Sequence, residues 1–525
     1  MTGPHTVDLA DRAPRPTEVP PRHRHHDRRW LVLPVLCLSV FLVVVDNTIV
    51  NVALPSLSRD LGASTSALQW IVDAYSLTFA GLLLAGGGIG DRLGRKPVMQ
   101  TGLVFFGIFS VLAAVSHGTA ELISARALMG VAAAFVFPAS LAILTDIFTD
   151  PSERQKALGI WGATSGIAVA FGPIVGGALL EHYWFGSIFL VNVPIVLGTL
   201  VSGHFLIPKL ERAVARRFDT RGVLVSTLGL TLVVLAIIQG PQWGWTSAIT
   251  LGCFAAAAVL LTVFALLELR TDEPLLDVRV FAVPRFSSGA VSIAVAFFCL
   301  FGFIFVITQY FQFVKGYSTL SAGVHTLPFA VVAAVFTPVG AVLALRVGTR
   351  LVVGVGLVLM AAGLVLAGVS STPQAAYFGP VITSMVLLAL GLSFITAPAT
   401  EAVMGSLAPE QVGAGAAVNN TTRELGGTLG VAVLGSVFAS AYGPRILHVL
   451  AGYPVPAPAR EAARQSVAAA LAVVGHAPVA VQPTIRTAVF RAFDSGLEAA
   501  CMVGAGVAVV GAACAFAFLP GHSPK

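Results

Sequence analysis

The chain has 525 residues, only 11% of them charged, and a mean hydropathy of +0.87. A soluble domain carries roughly 25% charged residues, so a chain this apolar cannot cover a water-facing surface of its own size. Long apolar runs, rather than one large core, must hold the excess. The formal charge of +6 lies in short segments between those runs, which argues against nucleic acid as a partner. Cys37, Cys253, Cys299, Cys501 and Cys514 all fall inside apolar runs and read as small packing residues, not a disulfide framework.

Residues 1–29 are polar and rich in Pro, Arg and His, and read as a disordered cytoplasmic tail. The His-rich stretch 22–26 reads as a lipid-facing basic segment before a metal site. The run from Trp30 is long enough to span a bilayer and reads as a retained anchor, not a cleaved signal. A span needs about 20 mostly apolar residues. Such runs lie at 31–54, 68–90, 98–116, 121–146, 157–180, 186–207, 223–240, 247–268, 287–312, 321–344, 350–370, 375–403, 413–440 and 494–518. They are continuously apolar rather than alternating, so an all-α polytopic membrane protein with fourteen transmembrane helices is expected, not a barrel.

With the N-terminus placed in the cytoplasm, 22 of the 31 Lys and Arg fall in inside segments and 7 outside, five of those in one long stretch. The positive-inside rule therefore puts both termini in the cytoplasm of a cell (inner) membrane. Charged inside loops at 208–222 and 269–286 set off two spans with few polar residues. The expected organisation is a six-helix bundle (30–207), a linker with two extra helices (208–286) and a second six-helix bundle (287–525). The second bundle includes an outer stretch, 442–493, expected to form short amphipathic helices over the outer mouth. Leu345 to Arg350 weakly repeats Asp91 to Lys96 at the same place in the second bundle, without the acid.

A charged side chain at mid-bilayer depth costs about 2.5–3.5 kcal/mol on insertion scales and normally faces a cavity or a partner. Asp46, Asp73, Arg126, Arg423 and Glu424 lie within spans and are the candidate proton-coupling and substrate groups. A buried acid that holds either a proton or an arriving cation, but not both, couples the two. The alternative is a structural pair of Asp46 or Asp73 with Arg126. Arg423 and Glu424 are helix neighbours about 100° apart, so they cannot face the same way. Glu401 reads as a cap or interfacial group. Tyr75, Trp161 and Phe171 could present faces to a flat cation, whereas Trp70 reads as an interface aromatic.

Gly87 to Lys96 reads Gly-x-x-x-Asp-Arg-x-Gly-Arg-Lys, with Gly87, Asp91, Arg92, Gly94, Arg95 and Lys96 at the defined positions. Physically it is a tight turn in which Asp91 caps the next turn or pairs with an arginine where two bundles meet. The pattern closely resembles the signature of the major facilitator superfamily. Asp46 to Pro55 (DNTIVNVALP) resembles the first-helix motif of its fourteen-helix drug:proton antiporters, and Leu122 to Gly130, with Arg126, their fourth-helix motif. Gly159 with Gly172-Pro173-Ile174-Val175-Gly176-Gly177 resembles their fifth-helix antiporter motif. Trp70 to Leu77 and Leu180 to Phe189 look like the branch that exports quaternary ammonium compounds and viologens. Departures are Met129, where glutamine is frequent, Ala168, where glycine is usual, and His325, where an apolar residue is common; His325 reads as a packed or hydrogen-bonded side chain rather than a proton relay.

The resemblance implies a proton-driven antiporter exporting lipophilic, cationic drugs, with protons and the lipid bilayer as its other partners, no cofactor and no metal. A monomer is the default. A dedicated exporter of one metabolite or antibiotic would share the fold and energy source. The Gly-Pro-x-x-Gly-Gly segment argues against an uptake symporter. With no phosphate-binding loop, no metal-spaced His/Cys cluster and no nucleophile elbow in the sequence, a secondary transporter is expected rather than an enzyme.

Overall fold

A computed structural model of the protein describes residues 23–208, 219–271, 278–407 and 412–521. These are almost wholly helical, with no strand among the described residues. The first bundle contains α1 (His23–Asp60), α2 (Thr65–Leu93), α3 (Arg95–Ala114), α4 (Thr119–Ile147), α5 (Pro151–His182), and α6 (Ser187–Leu190) running into α7 (Asn192–Leu206). Two further helices follow, α8 (Thr220–Trp243) and α9 (Ala248–Arg270). The second bundle contains α10 (Pro284–Gln309), α11 (Thr319–His325) leading into α12 (Leu327–Val347), α13 (Thr349–Ser370), α14 (Ile382–Met404), α15 (Val412–Ala451), α16 (Ala457–Gln465), α17 (Val467–His476) and α18 (Gln482–Phe518).

Every expected span falls on a helix. Thirteen segments are long and apolar enough to cross a membrane, and α2, bent by 53° between Thr65–Leu83 and Ala85–Leu93, makes a fourteenth. Helices are the outcome because lipid offers the backbone no hydrogen-bond partner, so each segment must satisfy its own. Where a helix starts outside the apolar zone, a side chain caps it. Ser64 accepts from the Ala67 amide, Ser247 from that of Thr250, and Asp150 from those of Ser152 and Glu153. The Ser152 hydroxyl and these amides hold the Asp150 carboxyl below its ordinary value.

Fourteen crossings bring both ends of the chain to one face, here the termini face; the other is the distal face. Small residues set the helix spacing. A side chain at Gly86 would strike the Ala134 carbonyl, and one at Gly430 the Phe298 carbonyl, so α2 lies on α4 and α10 on α15 at backbone distance. Two glycines do a different job. Gly94 (φ +103°) and Gly348 (φ +95°) join α2 to α3 and α12 to α13 in the same left-handed conformation. The weak sequence repeat is thus a repeat of turn geometry, retained without the acid.

Three expectations need adjustment. The tail was expected to end at 29, but α1 begins at His23; residues 1–22 lie outside the described residues. So do 209–218 and 272–277, which hold most of both linker loops. The stretch 442–493 holds two short helices, α16 and α17, but its ends continue the long helices: α15 runs on to Ala451 and α18 starts at Gln482. At about 1.5 Å per residue, both exceed the roughly 30 Å hydrocarbon thickness and project beyond it. Trp70, read as an interface aromatic, packs against the small cluster of Leu77, Val234, Ile238 and Ala432.

Gly94→Ala and Gly348→Ala should each destabilise the protein by about 1 kcal/mol or more, because both force a Cβ into positive φ. Gly348→Ala should be the worse, since its Cβ would also meet the Gly521 carbonyl. Thermal unfolding in detergent measures both; equal melting temperatures for wild type and Gly348→Ala would refute the argument.

Candidate functional site

Arg126 of α4 has no exposed surface and sits among four helices. Its Nη1 pairs with Asp46 Oδ2 of α1, its Nε donates to the Ile71 carbonyl of α2 (3.1 Å), and its guanidinium lies 4.3 Å from the centre of the Tyr75 ring. The other Asp46 oxygen accepts from Asn192 Nδ2 of α7 (2.7 Å), which also reaches Ser110 Oγ of α3 (3.3 Å). Tyr75 donates to the Val43 carbonyl (3.1 Å). Asp46 is therefore fully engaged, in the structural pair with Arg126 that was the alternative to a proton-coupling role. Tyr75 offers no face to a ligand: it is buried and Arg126 already covers it. Asn192 was missed by sequence reasoning; an asparagine inside the sixth apolar run was the available signal.

Asp73 is equally buried, yet neither carboxyl oxygen has a hydrogen-bond partner. Of the two acids that could have paired with Arg126, the structure takes Asp46 and leaves Asp73. It lies one turn below Gln69, whose Nε2 donates to the carbonyls of Val431 (3.1 Å) and Ala432 (2.8 Å). Residues four apart share a helix face, so Asp73 belongs to the seam between α2 of the first bundle and α15 of the second.

On α15, Arg423 donates to Thr400 Oγ1 (3.2 Å) and lies 5.3 Å from the centre of the Phe297 ring. Glu424 is half-buried and forms no hydrogen bond or ion pair among the described residues. The neighbours diverge as the helical angle requires.

The fifth-helix glycines divide by depth. A side chain at Gly176 would come within 2.6 Å of Ile49 on α1, and one at Gly177 within 2.7 Å of the Leu320 backbone on α11. Gly172 meets Thr48, and the Pro173 carbonyl lies against Gly323. Thr319 Oγ1 donates to the Gly177 carbonyl (3.0 Å) and Gln312 Nε2 to that of Val52 (2.8 Å). Together these contacts close the distal half. Gly159 departs from this pattern: it lies in open space, as do Gly162 and Gly166. In that half Ile160, Ile167 and Phe171 of α5 are exposed, as are Val331, Val335 and Val339 of α12. Phe171 leans on Phe41 (ring centres 5.7 Å apart), and half-buried Trp161 meets Phe137 edge-on (5.2 Å) and Ser140 through its indole nitrogen. The two bundles meet at the distal face and part toward the termini face.

The glycine-rich turn at the termini face ties the first bundle to itself. Arg95 binds Asp91 (3.0 Å), pairs with Asp146 at the end of α4 and reaches the Ala142 carbonyl. Lys96 Nζ donates to the His204 (2.8 Å) and Ile207 (2.6 Å) carbonyls at the end of α7. Asp91 was expected to cap the next turn or to pair with an arginine where two bundles meet; the arginine it binds lies four residues on, at the start of α3 in its own bundle. Gly87 and Arg92 are half-buried beside it. His325 is the packed side chain expected, stacked on Tyr317 (4.4 Å) and bonded to Ser321.

Two bundles that meet at one face and part at the other, with charges in the seam, define a membrane transporter. Residues 36–431 match the Major Facilitator Superfamily model, and the chain belongs to that superfamily. It is 36% identical to the multidrug efflux pump LfrA of Mycolicibacterium smegmatis, over 94% of this chain and 98% of that one. It is 33% identical to the tetracenomycin C resistance and export protein of Streptomyces glaucescens (93% and 91% covered), and 34% to the methyl viologen resistance protein SmvA of Salmonella typhimurium (80% and 84%). Among solved structures, it superposes on a bacterial homologue of the human lysosomal transporter Spinster, in an inward-facing, unoccupied conformation. The TM-score is 0.63 at 17% identity, over 95% of this chain and 99% of that one. That likeness concerns the fold alone.

Asp46→Asn should lower thermal stability sharply, by about 3–5 kcal/mol, because it leaves the buried Arg126 charge without its counter-ion. Asp73→Asn removes no bond and should melt at or above the wild-type temperature. The reverse order of melting temperatures in detergent would overturn the assignment of the ion pair.

Proposed function

We propose that this protein is a proton-motive-force-driven multidrug efflux antiporter that exports lipophilic, cationic compounds in exchange for protons. The observation that carries the reading is Asp73, a buried acid at the bundle seam with no hydrogen bond at either oxygen. A buried carboxylate to which the protein offers no donor is costly, so the acid holds a proton while the seam is shut. When the seam opens and water or a cation reaches it, the proton can leave. Glu424, half-buried and without an ion-pair partner, is the acid left to meet a cation entering from the open side, with Trp161 and Phe171 as aromatic surfaces there. Asp46, Arg126 and Tyr75 are the scaffold, Arg423 orients α15 beside Phe297, and the distal glycines and Pro173 seal the far side. The Gly87 to Lys96 turn stiffens the first bundle at its cytoplasmic edge. The names of the LfrA and SmvA relatives support this substrate class.

The same reading places the protein in the cell (inner) membrane as a monomer with both termini cytoplasmic, on the strength of the Lys/Arg distribution. The termini face is then the inner one, and the structure an inward-open state. Bundles at 30–207 and 287–525, joined through a linker at 208–286, would rock against each other. The tetracenomycin C relative favours a second reading, a dedicated exporter of one antibiotic with the same coupling.

In energised cells, ethidium efflux should collapse with a protonophore. It should fall at least about tenfold in Asp73→Asn, as expected when an essential proton-transfer group is lost. Glu424→Gln should impair dications more than monocations. Should the membrane-inserted wild type move no dye while one antibiotic is exported, the dedicated-exporter reading replaces this one. Gly176→Leu should also abolish export, because overpacking against Ile49 costs about 1–3 kcal/mol and wedges the distal seam; intact efflux in that variant would remove the sealing role.

A further inference from the structure

The distal face carries a small cavity of about 250 Å³, mixed polar and apolar in lining, above the α2–α15 seam. Ser66, Gln69, Gln242, Trp245, Ser440 and Arg464 line it, so α2, α8, α15 and α16 all contribute walls. The added helix α8 is held in place there: Gln242 Nε2 donates to Ser66 Oγ (2.7 Å), Trp245 Nε1 to Ser440 Oγ (3.4 Å), and Ser436 Oγ to the Ile237 carbonyl (2.8 Å). Gln69 is the deepest α2 residue in the lining and is 1% exposed. Its nitrogen is committed to α15, which fixes the amide, but its Oε1 has no partner. Asp73, with both oxygens unpartnered, is four residues further along the same face, about 6 Å down the helix axis.

Three orphaned oxygens beneath a cavity to which Ser66, Gln69, Gln242 and Ser440 bring polar groups call for water, which occupies sites that offer it two to four polar partners. Asp73 is answered by no charge. Arg126 is paired with Asp46, and Arg423 and Glu424 lie on α15 about one turn from the level of Asp73, where neither bonds to it. The only charged residue of α8 is Arg221, at the helix's opposite end. Arg464 at the rim is paired with Glu461, and Arg59, Asp60 and Glu121 stand at the distal ends of α1 and α4.

We propose that this cavity is the proton entrance, and that Gln69 is a positioning residue holding the water that bridges distal solvent to Asp73. The proposal rests on the reading of Asp73 as the proton-carrying acid. A proton passes from a cavity water to an Asp73 oxygen: one O–H bond breaks, one forms, and the next water along replaces the proton. Gln69 Oε1 accepts a hydrogen bond from the bridging water and does not titrate. Proton and drug then use different doors, the drug entering where the bundles part at the termini face. The cavity exists because α8 walls it, which gives this added helix a role in coupling.

The test uses the full chain reconstituted in vesicles, with ethidium as the probe. Transport driven by a pH gradient is compared with ethidium:ethidium exchange in the absence of a gradient. Gln69→Leu removes the acceptor, and Ser440→Phe plugs the cavity without touching Gln69. Both should slow gradient-driven transport at least about tenfold, less than the roughly hundredfold or more that a proton-transfer group itself contributes, and leave exchange within about twofold. If both rates fall together in the two variants, the residues only pack the seam and the proposal fails; it fails likewise if neither rate changes. Asp73→Asn separates the two levels. Full gradient-driven transport in that variant would sink the underlying reading and the entrance with it, whereas its loss beside unaffected Gln69→Leu and Ser440→Phe would sink the entrance alone.

Discussion

The bilayer admits no unanswered charge, and the first bundle is organised around answering one. Arg126 is wholly buried and is held by α1 (Asp46), α2 (the Ile71 carbonyl and the Tyr75 face) and, through Asp46, by Asn192 on α7, with Nη2 alone left without a hydrogen bond. Removing one member of a buried pair costs about 3–5 kcal/mol, a large part of what holds a domain folded. Four helices are therefore registered against one another at a single depth. The consequence for Asp73 is indirect: with Arg126 paired to Asp46, an acid that could have been half of a salt bridge is left at the seam with neither oxygen bonded.

Closure at the distal end and opening at the other follow from side-chain size. Gly172, Gly176 and Gly177 leave room for α1 and α11 to touch the backbone of α5, and Gly323 lets α11 meet Pro173. Toward the termini face the same helix carries Ile160, Ile167 and Phe171, exposed and opposite the exposed valines of α12. The other seam, between α2 and α15, has α8 lying over it through Leu77, Val234, Ile238 and Ala432. The two seams of the transporter are not equivalent: one is covered by an added helix and the other is bare.

The fold was almost wholly legible, because spans are specified by length and hydropathy and both are local properties. All fourteen apolar runs proved helical, and the turn at Gly94 recurs at Gly348 as the faint repeat suggested. What could not be read were pairings. Nothing local says that Arg126 takes Asp46 over Asp73, since both acids sit in helices that border α4. Asn192 was hidden because a single asparagine in an apolar run carries little weight until its carboxylate is in view. Tyr75 had the composition of a cation platform, but its own bundle supplies the cation. Gly159 shares a motif with Gly172 and Gly176, yet a motif does not record depth, and the open half begins between them. The ends of α15 and α18 were underestimated for a related reason: hydropathy marks where lipid stops, not where a helix does.

The outer helices α16 and α17 belong by chain to the second bundle but are fastened to the first. Ser466 Oγ bonds Ser58 Oγ (3.0 Å), and Thr65 Oγ1 donates to the Gln465 carbonyl (3.0 Å), both at the turn between α1 and α2. Any movement that parts the bundles at the distal face has to release both bonds or carry the strap with it. At about 1 kcal/mol each, they weigh roughly as much as a tenfold to thirtyfold shift between two conformations. The strap is thus a return spring: its two bonds favour the sealed distal face and add to the work of opening it.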